Sequence, residues 1–228
     1  MTDRTALIVG ASRGLGLALA EEFLARGWRV TGTVRGSAHT ELHDLVEKYD
    51  GLTVETVDMT VDAEVDALHE RLRGTAFDLL FVNGAITRGD VPIGDVPRET
   101  FVEVMVTNAY APMRFLEIFD DLVPPTGTIG VMSSTQGSVS LNTRGGQDVY
   151  RASKSALNPL MRSYAARHHD DPRTLLLINP GHVRTELGGP GAQLTVSDTV
   201  PGVVDAITAH AGEPGLQFLD YRGETVPW

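Results

Sequence analysis

A glycine-rich turn close to the first residue constrains the fold of this chain more than any other feature of its sequence. Residues 6–9 are a short apolar run, the turn Gly10-Ala-Ser-Arg-Gly14-Leu-Gly16 follows at once, and a helical pattern then extends to Gly27. A continuous apolar run of this length is typical of a strand buried on both faces of a parallel sheet. A strand, a glycine-rich turn and a helix in this order direct backbone N–H groups at a phosphate. The sequence therefore predicts an α/β fold with a site for a dinucleotide pyrophosphate.

The same turn contains a second motif, because Ser12 lies in the pattern G-x-S-x-G. This pattern marks the nucleophile elbow of serine hydrolases, which also connects a strand to a helix. An elbow normally follows several strands and needs an acid and a histidine later in the chain, whereas this turn follows the first strand. Gly16 would also have no role in an elbow. We therefore favour the dinucleotide interpretation over a hydrolase.

Strand and helix patterns alternate along the rest of the chain. Such alternation predicts a Rossmann-like doubly wound parallel sheet of about seven strands, with helices on both faces and ligands at the carboxyl edge of the sheet. A long helical pattern is expected to be interrupted near Asn108 and Pro112. The later strands are expected at 28–34, 52–57, 77–82, 128–131, 175–178 and 216–219, and the later helices at 40–49, 61–72, 97–122, from Tyr150 onward, and at 197–210.

Composition excludes several classes of function. The 228 residues, 42% of them hydrophobic, are enough for one domain with a full core, expected to span 1–228. A net charge of -11 argues against binding to DNA, RNA or an anionic membrane, because the long-range field repels polyanions. Cysteine is absent, which is compatible with a reducing cytoplasm. No apolar run approaches the length of a membrane span, so we expect a cytoplasmic protein.

Metal binding is not expected either. His39 and His43 are four residues apart on a predicted helix, which places them on one face. The glutamate and the third ligand of a zinc protease signature are missing around them. We therefore interpret these histidines as part of a solvated helix face.

The residues after the second predicted strand indicate which dinucleotide is bound. An acidic residue there would hydrogen-bond the adenosine ribose and repel a 2′-phosphate. This chain has Arg35 instead, and Arg13 adds a second cation in the glycine-rich turn. Guanidinium groups favour a phosphate, so the sequence predicts NADP(H). At the neighbouring strand end, Asp58 either accepts a hydrogen bond from the adenine amino group or caps the following helix.

A serine, a tyrosine and a lysine supply a candidate proton-transfer device. Ser134 follows the predicted strand 128–131, and Tyr150 and Lys154 lie four apart on a helix face. A phenol has a pKa of about 10, and a neighbouring ammonium lowers that pKa by favouring the phenolate. The Ser134 hydroxyl can hydrogen-bond both the phenol and a substrate oxygen. Alone, the Tyr/Lys pair would equally suit an amphipathic surface helix.

Taken in order, these motifs resemble the short-chain dehydrogenase/reductase family over nearly the whole chain. Finer features, the run Tyr-Arg-Ala-Ser-Lys from Tyr150 and the insert Arg144-Gly-Gly, are similar to the C-factor and sniffer-like carbonyl reductase branch. The resemblance implies that Tyr150 is the acid/base and that Lys154 lowers its pKa and binds the nicotinamide ribose. It also implies that Ser134 orients the substrate oxygen and that Asn108 holds a water relay to Lys154.

The predicted function is the NADP(H)-dependent interconversion of a carbonyl and a secondary alcohol, with a small-molecule substrate and a homo-dimer or homo-tetramer as the assembly. The alternative is a non-catalytic NADP(H)-binding sensor or signalling protein. Gln136, His182 and the loop 138–147 are the candidate walls of the substrate pocket. The residues expected to bind the cofactor are Gly10, Ser12, Arg13, Gly14, Leu15, Gly16, Arg35, Asp58, Met59, Asn83, Gly84, Tyr150, Lys154, Pro180, Gly181, Val183 and Thr185.

Overall fold

Strands and helices alternate through residues 4–228, which are the part of the chain that the computed structural model describes. The strands are β1 Thr5–Val9, β2 Arg29–Val34, β3 Leu52–Thr56, β4 Leu79–Val82, β5 Thr128–Met132, β6 Thr174–Asn179 and β7 Gly215–Asp220. The α-helices are α1 Gly14–Ala25, α2 Glu41–Asp44, α3 Asp62–Leu72, α4 Arg98–Met105, α5 Ala111–Phe119, α6 Asp148–Arg167 and α7 Val196–Ala209. Within this part of the chain, no helix has the combination of length and apolar character that crossing a membrane requires.

The seven strands form one sheet in the order β3-β2-β1-β4-β5-β6-β7, and every neighbouring pair is parallel. The chain thus winds outward in one direction from β1 to β3 and in the other from β4 to β7. This arrangement is the doubly wound sheet that the sequence predicts. The winding reverses between β1 and β4, so the carboxyl ends of these two strands flank the crevice in which such sheets bind ligands.

Two apolar layers cover the sheet. Successive residues of β1 alternate between them, since Leu7 belongs to one buried cluster and Ile8 to the other. The Leu7 layer packs against α3, α5 and α6 through residues such as Phe115 and Leu157. The Ile8 layer packs against α1 and α7 through residues such as Phe23. With both faces covered, β4, β5 and β6 are buried along their whole length, which explains their continuous apolar sequences.

The helix predicted at 40–49 is present but shorter, and its second half is not α-helical. It consists of the four-residue α2, followed by a 3₁₀ turn at Leu45–Glu47. Thr40 and His43 form a capping box at its start, and Leu52 N–H already donates to the Tyr49 carbonyl at 3.1 Å. The chain therefore has to tighten and turn back within a few residues to enter β3, which leaves no room for a regular helix.

The long helix is interrupted at Asn108, as the sequence predicts. A π turn, Val106–Tyr110, separates α4 from α5, and a 3₁₀ turn, Asp120–Leu122, ends the segment. Asn108 is completely buried in this turn, where its amide makes hydrogen bonds outside the helix. Turns of this type often occur at functional sites because they redirect a side chain without ending the helix.

Candidate active site

Glycines join the turns after β1 and β4 at the reversal point of the sheet. A Cβ on Gly16 would lie 2.0 Å from the carbonyl oxygen of Gly10, and Gly10 itself has φ +82°, so both positions need glycine. Asn83 donates its side-chain N–H to the same Gly10 carbonyl at 3.1 Å. The predicted residues of these two turns are therefore adjacent, with Gly84 within reach of Gly10.

The start of α1 faces the loop that follows β6. Gly14 is the first residue of α1; Ser12 precedes it and Leu15 follows it in the chain. A Cβ on Gly14 would contact only Thr185, at 3.7 Å. This space, bounded by helix N–H groups, is the kind of cradle that fits a pyrophosphate. The loop also supplies Glu186, which forms an ion pair of 2.6 Å with Arg13. Both side chains are exposed, so the pair is a surface contact between the loops after β1 and β6.

Arg35 lies directly after β2 and is exposed. At the end of β3, Asp58 accepts hydrogen bonds from the N–H and hydroxyl of Thr60, at 2.9 and 2.6 Å. The alternative that Asp58 caps α3 is wrong, because the N-cap of that helix is Val61. The Asp58 carboxylate instead accepts hydrogen bonds within its own loop. Met59 packs against Gly84, since a Cβ on that glycine would lie 3.1 Å from the Met59 methyl group.

Ser134, Tyr150 and Lys154 come together where β5 ends beside the first turns of α6. Lys154 is 1% exposed, and its Nζ donates a hydrogen bond of 2.8 Å to the carbonyl oxygen of Met132. The same Nζ lies 5.9 Å from the centre of the Tyr150 ring. Gly137 allows the loop after β5 to pack closely against α6, because a Cβ there would lie 2.8 Å from the Lys154 carbonyl oxygen.

Burial controls the ionisation of both groups. It raises the pKa of Tyr150 to about 12, against which a hydrogen bond with Ser134 acts in the lowering direction. Burial also lowers the pKa of Lys154 to about 7. The raised phenol pKa is opposite to the lowered value expected from the sequence, because desolvation of the tyrosine outweighs its polar contacts. At neutral pH the site therefore holds a protonated phenol, which is a proton donor.

Ser153 is a residue of this site that sequence reasoning missed. Its hydroxyl donates to the Tyr150 carbonyl at 2.7 Å and accepts from Asn108 Nδ2 at 3.0 Å. Asn108 in turn bonds both the N–H and the carbonyl of Ile86, each at 2.8 Å. The signal available in the sequence was a small polar residue three positions after Tyr150, on a helix face that also carries Lys154. The water relay that the resemblance implies for Asn108 stays a prediction.

The turn after β6 completes the carboxyl edge of the sheet. Gly181, preceded by Pro180, has φ +82°, and a Cβ there would lie 2.7 Å from Leu194. Val183 is buried and forms a β-bridge with Leu194. His182 is exposed, and its Nε2 donates to the Gly188 carbonyl at 2.9 Å. This bond holds His182 within its own loop.

Gln136 lines a cavity of about 380 Å³ between α4 and α6, bordered by residues such as Phe101, Val139 and Arg151. Its Oε1 is buried and has no hydrogen-bond partner among residues 4–228. Neither Ser134 nor Tyr150 borders this cavity. Gln136 therefore lies two residues after Ser134 in the chain but lines a separate space.

These features define a class of protein: a doubly wound sheet with a dinucleotide cradle at its reversal point and a half-buried phenol beside a buried lysine. The family model described as enoyl-(acyl carrier protein) reductase matches residues 10–199. The C-signal of Myxococcus xanthus is 31% identical over 156 residues, covering 66% of this chain and 92% of that protein.

Solved structures give the same assignment. A short-chain dehydrogenase/reductase from Burkholderia multivorans with bound NADP is 53% identical, with a TM-score of 0.98 over 99% of this chain and 100% of the other. A carbonyl reductase from Pseudomonas aeruginosa PAO1 in complex with NADP is 35% identical, with a TM-score of 0.92 over 100% of both chains. The chain belongs to the short-chain dehydrogenase/reductase family of oxidoreductases, as its motifs predict.

Proposed function

We propose that this protein is an NADP(H)-dependent oxidoreductase that interconverts a carbonyl compound and the corresponding secondary alcohol, with Tyr150 as acid/base. The observation that carries the proposal is the half-buried Tyr150 beside the buried Lys154, whose Nζ lies 5.9 Å from the centre of the phenol ring at the carboxyl edge of the sheet. A phenol has no structural need to be desolvated at the mouth of a ligand crevice. Perturbed ionisable groups in such a position are typical of acid–base catalysis.

The cofactor assignment rests on the cradle at the start of α1 and on two cations. The space over Gly14 suits a pyrophosphate, and Arg13 and Arg35 provide positive charge on the loops after β1 and β2. The bound NADP in the Burkholderia multivorans and Pseudomonas aeruginosa structures supports the same choice. When bound, the nicotinamide supplies or accepts the hydride that changes the oxidation state of the substrate carbon.

Three residues of the chain then supply the proton that the substrate oxygen takes up during reduction. Tyr150, protonated at neutral pH because burial raises its pKa to about 12, donates to the oxygen that becomes the alcohol. Ser134 holds that oxygen and the phenol together by hydrogen bonds. Lys154, fixed by its bond to the Met132 carbonyl, stabilises the phenolate that remains. A standing proton donor suits carbonyl reduction, which we propose as the direction in the cell.

Turnover of a substrate panel by the wild type and by Tyr150→Phe tests this proposal. Oxidation of NADPH is followed with ketones, aldehydes and quinones, and NADPH binding is measured separately by fluorescence. We expect Tyr150→Phe to bind NADPH normally and to lose about 10²–10⁴-fold in kcat, the usual contribution of acid–base catalysis. A wild type that binds NADPH and turns over nothing would instead support the sensor alternative.

The location and assembly belong to the same proposal. We propose a cytoplasmic protein that forms a homo-dimer or homo-tetramer. Light scattering coupled to size-exclusion chromatography measures the assembly directly, and a monomer at micromolar concentration would contradict it.

A further inference from the structure

Three consecutive residues before α6 adopt left-handed backbone conformations: Gly145 with φ +68°, Gly146 with φ +76° and Gln147 with φ +54°. Gln147 is the single non-glycine residue with positive φ between residues 4 and 228. A side chain makes this conformation unfavourable, so a contact elsewhere has to stabilise it. The turn corresponds to the Arg144-Gly-Gly insert of the sequence, and it ends three residues before Tyr150.

The contact that stabilises the turn comes from Asp90, in the loop between β4 and α4. An oxygen of its carboxylate accepts a hydrogen bond of 2.5 Å from the backbone N–H of Gln147. The carboxylate also lies against Gly146, because a Cβ on that glycine would be 3.2 Å from one of its oxygens. Thr87 adds a hydrogen bond of 3.3 Å to the Gln147 side chain. We call Asp90, Gly146 and Gln147 the Asp90 clamp.

The clamp is one of several attachments between the segment 86–93 and the entry of the helix that carries Tyr150. At the far end of the segment, Asp148 accepts a hydrogen bond of 3.1 Å from Ile93 N–H. At the near end, Asn108 holds both backbone groups of Ile86. The segment therefore leaves the carboxyl edge of β4, runs beside the entry of α6 and is fixed at both ends and in the middle.

We infer that Asp90 is a positioning residue for the substrate: it holds the segment 86–93 against the entry of α6, so that the segment forms one wall of the space in front of Tyr150. This inference rests on the proposed function and assigns a role to a motif that the proton chemistry does not use. The clamp lies away from the pyrophosphate cradle on the turns after β1 and β6, and none of its three residues is among those expected to bind the cofactor. Loss of the clamp should therefore change KM for the substrate and leave the affinity for NADPH unchanged.

Four variants test the inference. Asp90→Ala removes the acceptor, while Asp90→Asn keeps an oxygen that can accept from Gln147 N–H. Gly146→Ala places a Cβ against the carboxylate. Gly74→Ala, in the loop after α3, is the control: its φ of +84° is also left-handed, but nothing lies within 4 Å of its Cβ. Kinetic constants are measured with the best carbonyl substrate of the panel, with 4-nitrobenzaldehyde as a small reference. NADPH affinity and hydrogen exchange of residues 86–93 and 144–149 are measured on the same samples.

We expect Asp90→Ala and Gly146→Ala to raise KM about tenfold, the loss of one hydrogen-bonded contact, with kcat within about threefold and NADPH affinity unchanged. Asp90→Asn and Gly74→Ala should stay close to the wild type in KM. Hydrogen exchange should increase in both segments only when KM rises. An unchanged KM in Asp90→Ala, or equal losses in KM, kcat and NADPH affinity, would overturn the inference.

The outcome can be separated from failure of the proposed function. If the wild type turns over no carbonyl compound, the proposed function fails and the substrate role of Asp90 fails with it. Hydrogen exchange would then still show whether Asp90 fixes the turn. If the wild type is active and Asp90→Ala keeps the wild-type KM, the inference fails while the proposed function stands.

Discussion

Asn108 and Ser153 meet on the buried side of α6, where Nδ2 of the asparagine donates a hydrogen bond of 3.0 Å to Oγ of the serine. Asn108 lies in the π turn of the interrupted helix. The Ser153 hydroxyl in turn donates a hydrogen bond of 2.7 Å to the Tyr150 carbonyl. The other bonds of Asn108 fix Ile86, in the loop after β4. One buried amide thus links the segment beside the crevice to the backbone of the proposed acid/base.

Replacing Asn108 by Ala should destabilise the protein by about 3 kcal/mol, because it removes the two bonds that hold the part-buried backbone groups of Ile86 and the bond to Ser153. Ser153→Ala is the matched comparison: it removes one end of the link but keeps the two bonds to Ile86, so it should cost less than half as much. Urea denaturation measures both, and Asn108→Ala should also show the larger loss of kcat. Equal destabilisation by the two variants would mean that the Ile86 contacts contribute nothing.

Stability without cofactor should rise with pH between about 7 and 9. Burial lowers the pKa of Lys154 to about 7, from 10.5 in the unfolded chain. Across that interval the unfolded chain binds more protons than the folded one, so the free energy of unfolding increases by up to about 1.4 kcal/mol per pH unit. Tyr150, whose pKa burial raises to about 12, acts in the opposite direction only above pH 10, because there the folded state retains a proton that the unfolded chain loses.

Denaturation of Lys154→Met at pH 7, 8 and 9 tests whether Lys154 causes the rise of stability with pH. The variant should lose most of the rise, since methionine fills the buried space without a titrating group. Tyr150→Phe, which removes the neighbouring phenol, should keep the rise over the same interval. A slope that survives in Lys154→Met would assign the pH dependence to another group.

Arg35→Asp should weaken NADPH binding more than NADH binding. A carboxylate at the end of β2 repels a 2′-phosphate and can accept hydrogen bonds from the ribose hydroxyls, whereas the guanidinium attracts the phosphate. We expect a loss of about 100-fold in NADPH affinity, as for a charge-assisted contact replaced by repulsion, and a change of less than about threefold for NADH. Isothermal titration with both nucleotides gives the ratio. Equal effects would contradict the assignment of Arg35 to the phosphate.

Glu186→Gln should strengthen NADPH binding by about threefold at low salt, the scale of an exposed ion pair. The Glu186 carboxylate forms an ion pair of 2.6 Å with Arg13, so it competes with a cofactor phosphate for that guanidinium. The gain should disappear near 0.5 M salt, because exposed charges are then screened. Weaker binding in Glu186→Gln would mean that the ion pair closes the groove over the cofactor.

Gly16→Ala should prevent folding or destabilise the protein by more than about 4 kcal/mol. Its Cβ would lie 2.0 Å from the Gly10 carbonyl oxygen and 2.7 Å from Asn83 Nδ2, and neither the backbone nor the bonded amide can move far. Gly94→Ala is the control, since nothing lies within 4 Å of the added Cβ. Circular dichroism and thermal melting of the two variants should differ accordingly. A stable, cofactor-binding Gly16→Ala would show that the turn can rearrange.

Local patterns in the sequence were sufficient for the sheet, and they also selected the candidate residues of the cradle and of the proposed catalytic set. Apolar runs such as 79–82 identify strands buried on both faces, and the spacing of Tyr150 and Lys154 places them on one helix face. The interruption at Asn108 was also predictable, because a buried amide in an apolar helix needs partners.

Tertiary structure alone decided which distant groups meet and how strongly they are desolvated. The pKa of Tyr150 rises because burial outweighs its polar neighbours, and no spacing along the chain reveals that balance. The contacts of Asn108 with Ser153, of Arg13 with Glu186 and of Asp90 with Gln147 join residues 45 to 173 positions apart. A sequence states which groups exist and what their local backbone prefers, whereas the folded sheet brings its loops together at one edge and so determines the partner of each group.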